Sequence, residues 1–252
     1  MRPAAENENC RSRGDESLNS KKKFETPHVV SYTCRVPILS YILTALGAYL
    51  LGSIPFGFLM AKAKGIDIRS VGSGNIGATN ARRVLGKPAG IAVLLLDAAK
   101  GVVACVLGGF ISHWASDLDY FDDGFYVLLK RFMLVAGIFA VLGHNYTCWL
   151  KFKGGKGIAT TAGVYLALAP WALLVGVVVF ILALLLTRYV SVGSIAAAVA
   201  LPITVWVMTP NNYFLCIVTT ALGVLAIYKH KSNLQRLMAG TENRLGQKKE
   251  SK

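Results

Sequence analysis

Seven predominantly apolar runs occupy most of the chain. They cover residues 38–61, 89–111, 126–147, 158–169, 171–187, 193–209 and 212–229. A run of about 20 such residues can cross the hydrocarbon core of a bilayer as a helix, and only helices or closed barrels satisfy the backbone polar groups there. Charged residues make up 16% of the chain, against about 25% in a soluble domain. The sequence therefore predicts an all-α, polytopic integral membrane protein.

The fourth and fifth runs form one apolar stretch of about 30 residues, which is interrupted by Ala169-Pro170-Trp171. One tilted helix accommodates about 25 residues. Because proline interrupts the helical hydrogen-bond ladder, the stretch either kinks there or turns between two shorter crossings.

The charges between the runs favour seven transmembrane helices. With seven crossings, every basic loop between or after the runs lies on one side of the membrane. The loop after the second run lies on the other side and contains Asp117, Asp119, Asp122 and Asp123. With six crossings, the basic C-terminal segment would join the acidic side. Because basic loops stay in the cytoplasm, we expect an external N-terminus and a cytoplasmic C-terminus, although the basic residues of the N-terminal tail would then be external.

Composition divides the chain into three regions. Residues 1–36 are polar and have no apolar periodicity, which indicates a disordered tail; residues 37–246 form the membrane domain, and 247–252 a short basic cytoplasmic tail. The net charge of +14 would suggest a nucleic-acid partner in a soluble protein. In a membrane protein, basic residues orient loops and contact anionic lipid. We therefore expect membrane lipid and no nucleic acid as a partner.

Several kinds of catalytic centre are absent from the sequence. The five cysteines form no CxxC or CxxH pair, which predicts neither a metal site nor a disulfide framework. There is no GxSxG motif and no pair of catalytic carboxylates. Acyltransferases with an HxxxxD motif need an acidic residue five positions after a histidine. The residues at that position are Thr33, Leu118, Trp149 and Gln235, so that class is excluded.

A loop of small and polar residues follows the first run. Residues 72–80 read GSGNIGATN, contain Ser73, Asn75, Thr79 and Asn80, and precede Arg82 and Arg83. The loop matches GxGxxG formally, but an apolar span precedes it instead of the strand that a dinucleotide fingerprint requires. Glycines let backbone N–H groups approach an anion, and hydroxyls and arginines add further donors. An ordinary basic loop would not need these glycines, so we interpret the loop as a phosphate-binding segment.

A glycine-flanked lysine follows the third run. Residues 151–161 read KFKGGKGIATT and place Lys156 between glycines, with hydroxyl side chains close behind. The segment is not a Walker A loop, because Gly157 occupies the Ser/Thr position. It predicts a second phosphate-binding segment. His144, near the end of the third run, is either a hydrogen-bonded structural side chain or a member of the site.

Two further polar segments carry little weight alone. Ser191 and Ser194 follow Arg188 in a short turn. His230, Asn233 and Arg236 are spaced so that they share one face of a helix. The topology above places all four segments on one side of the membrane, which predicts a single site for two phosphate-bearing groups. Asp97 and Lys100, inside the second run, must face protein or each other, and we interpret them as a structural ion pair.

At these residues the chain resembles the bacterial PlsY family of acyl-phosphate:glycerol-3-phosphate acyltransferases. The resemblance begins at GSIPFG (52–57), continues through GSGNIGATN, LLLDAAKG, GH…FKGGKGIAT and RYVSVGS, and ends with HKSNLQRLMAGTENR. It covers about residues 38–246. One departure is Thr147, where the family usually has proline.

The resemblance implies a reaction and a location. A fatty acyl group would pass from acyl phosphate to the 1-hydroxyl of glycerol 3-phosphate, giving lysophosphatidic acid in the first acylation of phospholipid biosynthesis. It implies seven spans in the bacterial inner membrane and a site that faces the cytoplasm. It implies no cofactor, metal, nucleotide or acyl-CoA, and a coupling to the enzyme that makes acyl phosphate.

The resemblance also implies roles for individual residues. The implied phosphate binders are Ser73, Asn75, Thr79, Arg83 and Lys156. Ser191 and Ser194 would complete the substrate-binding wall, while His230 and Asn233 would orient the reacting groups. The supporting residues would be His144, Glu242 and Asn80. The proton of the attacking hydroxyl would pass either to the donor's own phosphate or to a side chain.

Two other functions remain as alternatives. A small transporter of anions or phosphate esters would also collect glycines and basic residues, but near the bilayer midplane. The polar segments of this chain lie at the ends of the apolar runs. A purely structural membrane scaffold would leave the phosphate-type loops unexplained.

Overall fold

The computed structural model describes residues 36–116 and 123–246, and all regular structure in those ranges is helical. The α-helices are α1 (Ile38–Ser53), α2 (Phe56–Lys62), α3 (Ala78–Leu85), α4 (Lys87–Trp114), α5 (Asp123–Asn145), α6 (Ile158–Leu168), α7 (Pro170–Thr187), α8 (Val190–Met208), α9 (Tyr213–Lys229) and α10 (Lys231–Met238). A 3₁₀ turn covers Cys148–Leu150. The predicted N-terminal tail up to residue 35, the tail at 247–252, and Asp117, Asp119 and Asp122 of the acidic loop lie outside the described residues.

The predicted all-α, polytopic membrane architecture is confirmed. Five helical segments are long and apolar enough to cross a membrane: Ile38–Lys62, Lys87–Trp114, Gly124–Leu150, Pro170–Thr187 and Val190–Met208. A sixth results if α9 and α10, which meet at an angle of 50°, are counted together. The remaining apolar helix, α6, has 11 residues and is about 16 Å long. Length and composition thus identify five or six candidate spans in the described ranges.

Two proline positions shape the helices. The first apolar run, which the sequence predicts as one helix, is divided at Ile54-Pro55 into α1 and α2. In the stretch of about 30 residues, the chain turns at Ala169 and does not merely kink. Pro170 is the first residue of α7, where a missing N–H costs no helical hydrogen bond. The turn lets α6 pack against α4 and α5 while α7 packs against α8.

Small residues bring α4 and α6 close together. A Cβ atom at Gly163 would overlap the carbonyl oxygen of Ala98, and one at Gly101 would overlap that of Thr160. Lipid tails provide no hydrophobic drive between helices, so close van der Waals packing across small residues holds them together. This contact fixes the first turn of α6, and with it the preceding loop, against the middle of α4.

Candidate active site

A cavity of about 150 Å³ gathers the polar segments of the chain at one end of the helix bundle. Every side chain that the sequence predicts for the site lines it: Ser73, Asn75, Thr79, Asn80, Arg83, His144, Lys156, Ser191, Ser194, His230, Asn233 and Glu242. Each segment lies at helix ends. The cavity meets the start of α3, α6, α8 and α10, together with the end of α5.

The side-chain amide of Asn80 holds the glycine-rich loop in its conformation. Gly72 and Gly74 have φ values of 65° and 70°, a left-handed conformation that other residues adopt only with strain. The buried Asn80 side chain accepts a hydrogen bond from the N–H of Ser73 at 2.8 Å and donates to the carbonyls of Ile68 and Val71. Asn80 therefore shapes the loop that presents Ser73 to the cavity.

The two arginines of α3 have different surroundings. Arg83 lines the cavity. Burial lowers the pKa of its guanidinium, although the nearby charge of Glu242 acts in the opposite direction. Arg82 does not line the cavity: its backbone and Cβ atom lie against Gly90 of α4, and the rest of the side chain is exposed. Of the two, Arg83 is placed to bind an anion in the cavity.

Lys156 extends from its glycine loop to α10, where its Nζ donates a hydrogen bond to Oδ1 of Asn233. Burial, together with the positive charge of Arg236, lowers the pKa of Lys156 to about 8. Arg83, Arg236 and Lys156 act on one another electrostatically, with Glu242 as the opposing charge. This surplus of positive charge suits an anionic ligand such as a phosphate group.

Glu242 connects three side chains from α8 and α10 at the wall of the cavity. Its Oε1 accepts hydrogen bonds from Ser191 Oγ at 3.1 Å and Asn233 Nδ2 at 2.8 Å, and its Oε2 accepts one from Arg236 Nε at 2.7 Å. Burial raises the pKa of this carboxyl, but these hydrogen bonds outweigh it and leave the pKa below its usual value. Gly240, at φ 68°, ends α10 and returns the chain so that Glu242 reaches this position.

His230 presents one ring nitrogen to the cavity. Its Nδ1 lies 2.8 Å from the carbonyl oxygen of Ala226, which assigns the N–H to Nδ1 and leaves Nε2 as an acceptor. Burial lowers the pKa of His230 to about 4, so the ring is neutral near pH 7. It is suited to accept a hydrogen bond from a substrate hydroxyl.

The cavity also includes residues that the sequence did not indicate. Leu94 of α4 and Phe180 of α7 form an apolar wall, and inside apolar helices nothing in the sequence distinguishes them from lipid-facing neighbours. Asp97, interpreted as part of an ion pair, also lines the cavity. Within residues 36–116 and 123–246, no three His, Cys, Asp or Glu side chains are grouped so as to hold a metal ion.

Comparison with known proteins yields one family. The sequence model of the family described as glycerol-3-phosphate acyltransferase matches residues 42–240. The glycerol-3-phosphate acyltransferase of Desulforamulus reducens is 45% identical over 212 residues, which are 84% of this chain and 98% of that protein. The enzyme of Geobacter sulfurreducens is 44% identical over 206 residues, or 81% and 96% of the two chains.

Two solved structures have the same fold. Both are crystal structures of PlsY (YgiH), an integral membrane glycerol 3-phosphate acyltransferase. The glycerol 3-phosphate form is 37% identical and superimposes with a TM-score of 0.71, covering 82% of this chain and 96% of that chain. The lysophosphatidic acid form is 36% identical, with a TM-score of 0.69 and the same coverage. The chain therefore belongs to the glycerol-3-phosphate acyltransferase family.

Proposed function

We propose that this protein transfers a fatty acyl group from acyl phosphate to the 1-hydroxyl of glycerol 3-phosphate and releases lysophosphatidic acid. The observation that carries the proposal is the convergence of Arg83, Lys156 and the glycine-rich loop on one small cavity at a helix-bundle end. Both substrates carry a phosphate, and the cavity has an excess of cations. Relatives at 41–45% identity are named glycerol-3-phosphate acyltransferase, which supports the acceptor and the acyl transfer.

The chemistry requires positioning more than activation. The 1-hydroxyl oxygen attacks the acyl carbon, the bond between that carbon and the phosphate oxygen breaks, and inorganic phosphate leaves. The hydroxyl proton passes to a phosphate oxygen of the donor, so no separate base is consumed. His230 and Asn233, the latter fixed by Glu242, orient glycerol 3-phosphate so that its 1-hydroxyl faces the acyl carbon and the phosphate oxygen that takes its proton. Lys156 and Arg83 bind the phosphate charges, which lowers the barrier through orientation and electrostatic stabilisation.

The apolar wall accounts for the lipid substrate. Leu94 lines the cavity and is 48% exposed. A donor whose phosphate lies among the cations can therefore extend its acyl chain past Leu94 and Phe180 towards the bilayer. A transporter would need its site near the midplane and a path to both sides, and the position of this cavity at the helix ends favours the enzyme.

An assay of the purified protein in detergent tests the proposed reaction. Palmitoyl phosphate and glycerol 3-phosphate should give lysophosphatidic acid and inorganic phosphate in equal amounts. Palmitoyl-CoA should not replace palmitoyl phosphate, because the donor's phosphate is what the cations bind. A transporter would give neither product, and comparable turnover with palmitoyl-CoA would contradict the assigned donor.

Arg83 and Arg82 form a matched pair for testing the phosphate-binding role of α3. Arg83→Ala should lower kcat/KM at least about tenfold, since a charge-assisted hydrogen bond contributes about 1.5–3 kcal/mol. Arg82→Ala should cost clearly less, because that side chain is exposed and does not line the cavity. If both folded variants lost kcat/KM equally, or if neither lost any, the basic residues of α3 would serve only to orient the chain in the membrane.

The finer topology belongs to the same proposal. We infer seven crossings within residues 37–246, an external N-terminus, a cytoplasmic C-terminus and a site facing the cytoplasm of a bacterial cell. The C-terminal end of α5 and the turn between α7 and α8 both border the cavity end of the bundle. The chain must therefore travel away from that end through α6 and return through α7, which supports counting α6 as a short crossing.

Cysteine labelling tests this topology. In a variant without the native cysteines, Ser116→Cys and Gly246→Cys should react with a membrane-impermeant maleimide from opposite sides of the membrane. Labelling in intact cells and in inverted vesicles distinguishes the sides. Reaction of both cysteines from the same side would indicate an even number of crossings between them.

A further inference from the structure

A charged pair is buried where α4 passes the break between α1 and α2. Asp97 and Lys100 are each 3% exposed. Lys100 Nζ lies 2.9 Å from Asp97 Oδ1 and donates to the carbonyl oxygen of Ile54 at 3.0 Å. The ion pair expected from the sequence thus forms. Such a pair contributes little net stability after the cost of removing both charges from water, and charges inside a membrane span usually serve a function.

Asp97 also faces His144 on α5. Its Oδ1 lies 3.6 Å from His144 Nδ1, and both side chains are almost completely buried. Both side chains line the cavity, Asp97 from α4 and His144 from α5. The separation is longer than a hydrogen bond, so the carboxylate that Lys100 holds acts on the imidazole ring as a neighbouring charge at close contact, which favours one ring orientation.

His144 in turn supports the loop that carries Lys156. Gly155 lies directly against the imidazole, where a Cβ atom would overlap Nε2. The N–H of Gly155 donates to the carbonyl of His144 at 3.0 Å, and the N–H of Gly154 donates to that of Asn145 at 3.3 Å. No side chain separates ring and loop, so a movement of the ring moves the residue next to Gly155, which is Lys156.

We propose that Asp97 is a positioning residue, which fixes the imidazole of His144 and thereby sets the position of the Lys156 ammonium group in the cavity. The kinetic test of this proposal rests on the proposed acyl transfer, whereas the test by chemical labelling of Lys156 does not. Displacement of a binding group by about 1 Å can lower activity about a hundredfold. The Lys156 ammonium group is also bonded to Asn233, so a displacement of Lys156 would disturb this bond as well.

The double variant Asp97→Asn/Lys100→Met tests the proposal. It removes both charges together, so no unpaired buried charge remains to unfold the protein. We expect a thermal midpoint in detergent close to that of the wild type, and a KM for glycerol 3-phosphate raised at least about tenfold. Ser112→Ala, a change at a buried hydroxyl farther along α4 that donates to the carbonyl of Gly109 in its own helix, should leave both values unchanged.

The chemical reactivity of Lys156 provides a readout that needs no catalysis. Its pKa of about 8 depends on burial. Displacement towards water should therefore shift the pH profile of its labelling by an amine-reactive reagent upwards, as followed by mass spectrometry. His144→Gln, which leaves the ion pair intact, should produce the same shift even if the double variant does not fold. If wild-type protein showed no acyl transfer, the proposed function would fail while this measurement still decided the positioning role.

A double-mutant cycle separates positioning from an independent effect. If Asp97 acts through Lys156, adding the Asp97→Asn/Lys100→Met change to Lys156→Ala should cause no further loss of kcat/KM. A further loss as large as that in the wild-type background would overturn the proposal. So would wild-type labelling of Lys156 and wild-type KM in a folded double variant, because the ion pair would then be only structural.

Discussion

Replacing Lys156 with alanine is expected to lower kcat/KM for glycerol 3-phosphate by about ten- to a hundredfold. The ammonium group lies partly buried in the cavity and is bonded to Asn233, so a substrate phosphate there would lose a charge-assisted hydrogen bond of about 1.5–3 kcal/mol. The cost rises further if the anion is left without another partner. Steady-state kinetics in detergent, with palmitoyl phosphate as the donor, measure the loss.

Lys153 provides the control for this substitution. It belongs to the same basic loop, three residues earlier, but its side chain is exposed and does not line the cavity. Lys153→Ala should keep kcat/KM within about twofold, because exposed charges make only weak contributions. Equal losses in both variants would show that the loop acts through its overall charge, and the specific role of Lys156 would then be wrong.

Lys156 should also determine how the KM for glycerol 3-phosphate depends on pH. Because the pKa of Lys156 is lowered to about 8, the binding cation is lost as the pH rises through that value, and the KM for glycerol 3-phosphate should increase. Lys156→Arg keeps its charge to much higher pH, so any activity that it retains should lose this alkaline decline. His230, whose pKa is near 4, is neutral throughout the range between pH 6 and 9 and should add no decline there.

The membrane architecture could be read from the sequence because lipid imposes one rule along the whole chain. Each of the seven apolar runs contains a helix, since backbone groups in hydrocarbon have no alternative. The crossing count was harder to read, because α6 is short and packs against α4 and α5. The break at Pro55 is not evident from the sequence, because proline within an apolar run can also be accommodated by a kink.

The members of the site were predictable by residue type, but their connections were not. Glycines, hydroxyls and cations beside apolar runs indicated the loops that now line the cavity. The hydrogen bonds of Asn80 and the approach of Asp97 to His144 depend on the packing of separate helices, and no spacing in the sequence encodes them. Phe180 gave no signal, because an apolar side chain in an apolar helix has many possible neighbours.

Glu242→Ala should produce the other large effect, a loss of at least about a hundredfold in kcat, with a smaller change in KM. The carboxylate is 7% exposed and holds Asn233, Ser191 and Arg236 together. Its removal frees the Asn233 amide, which is bonded to Lys156, and leaves the guanidinium of Arg236 without its partner. The Arg236 side chain is 32% exposed, so water solvates part of the freed charge, and the thermal midpoint should fall by less than it would for a fully buried pair.

Two variants separate orientation from stability. Ser191→Ala removes only one hydrogen bond to Glu242, at 3.1 Å, and should cost about 1 kcal/mol and less than tenfold in kcat. Glu242→Gln keeps the shape and can still accept from Asn233, but its amide nitrogen opposes Arg236, so its kcat should lie between those of Ser191→Ala and Glu242→Ala. If kcat follows the thermal midpoint alone across the three, Glu242 only stabilises the fold. If Glu242→Gln, which keeps the bond to Asn233, retains much more kcat than Glu242→Ala at a similar thermal midpoint, the acceptor oxygen of residue 242 orients Asn233 for the reaction.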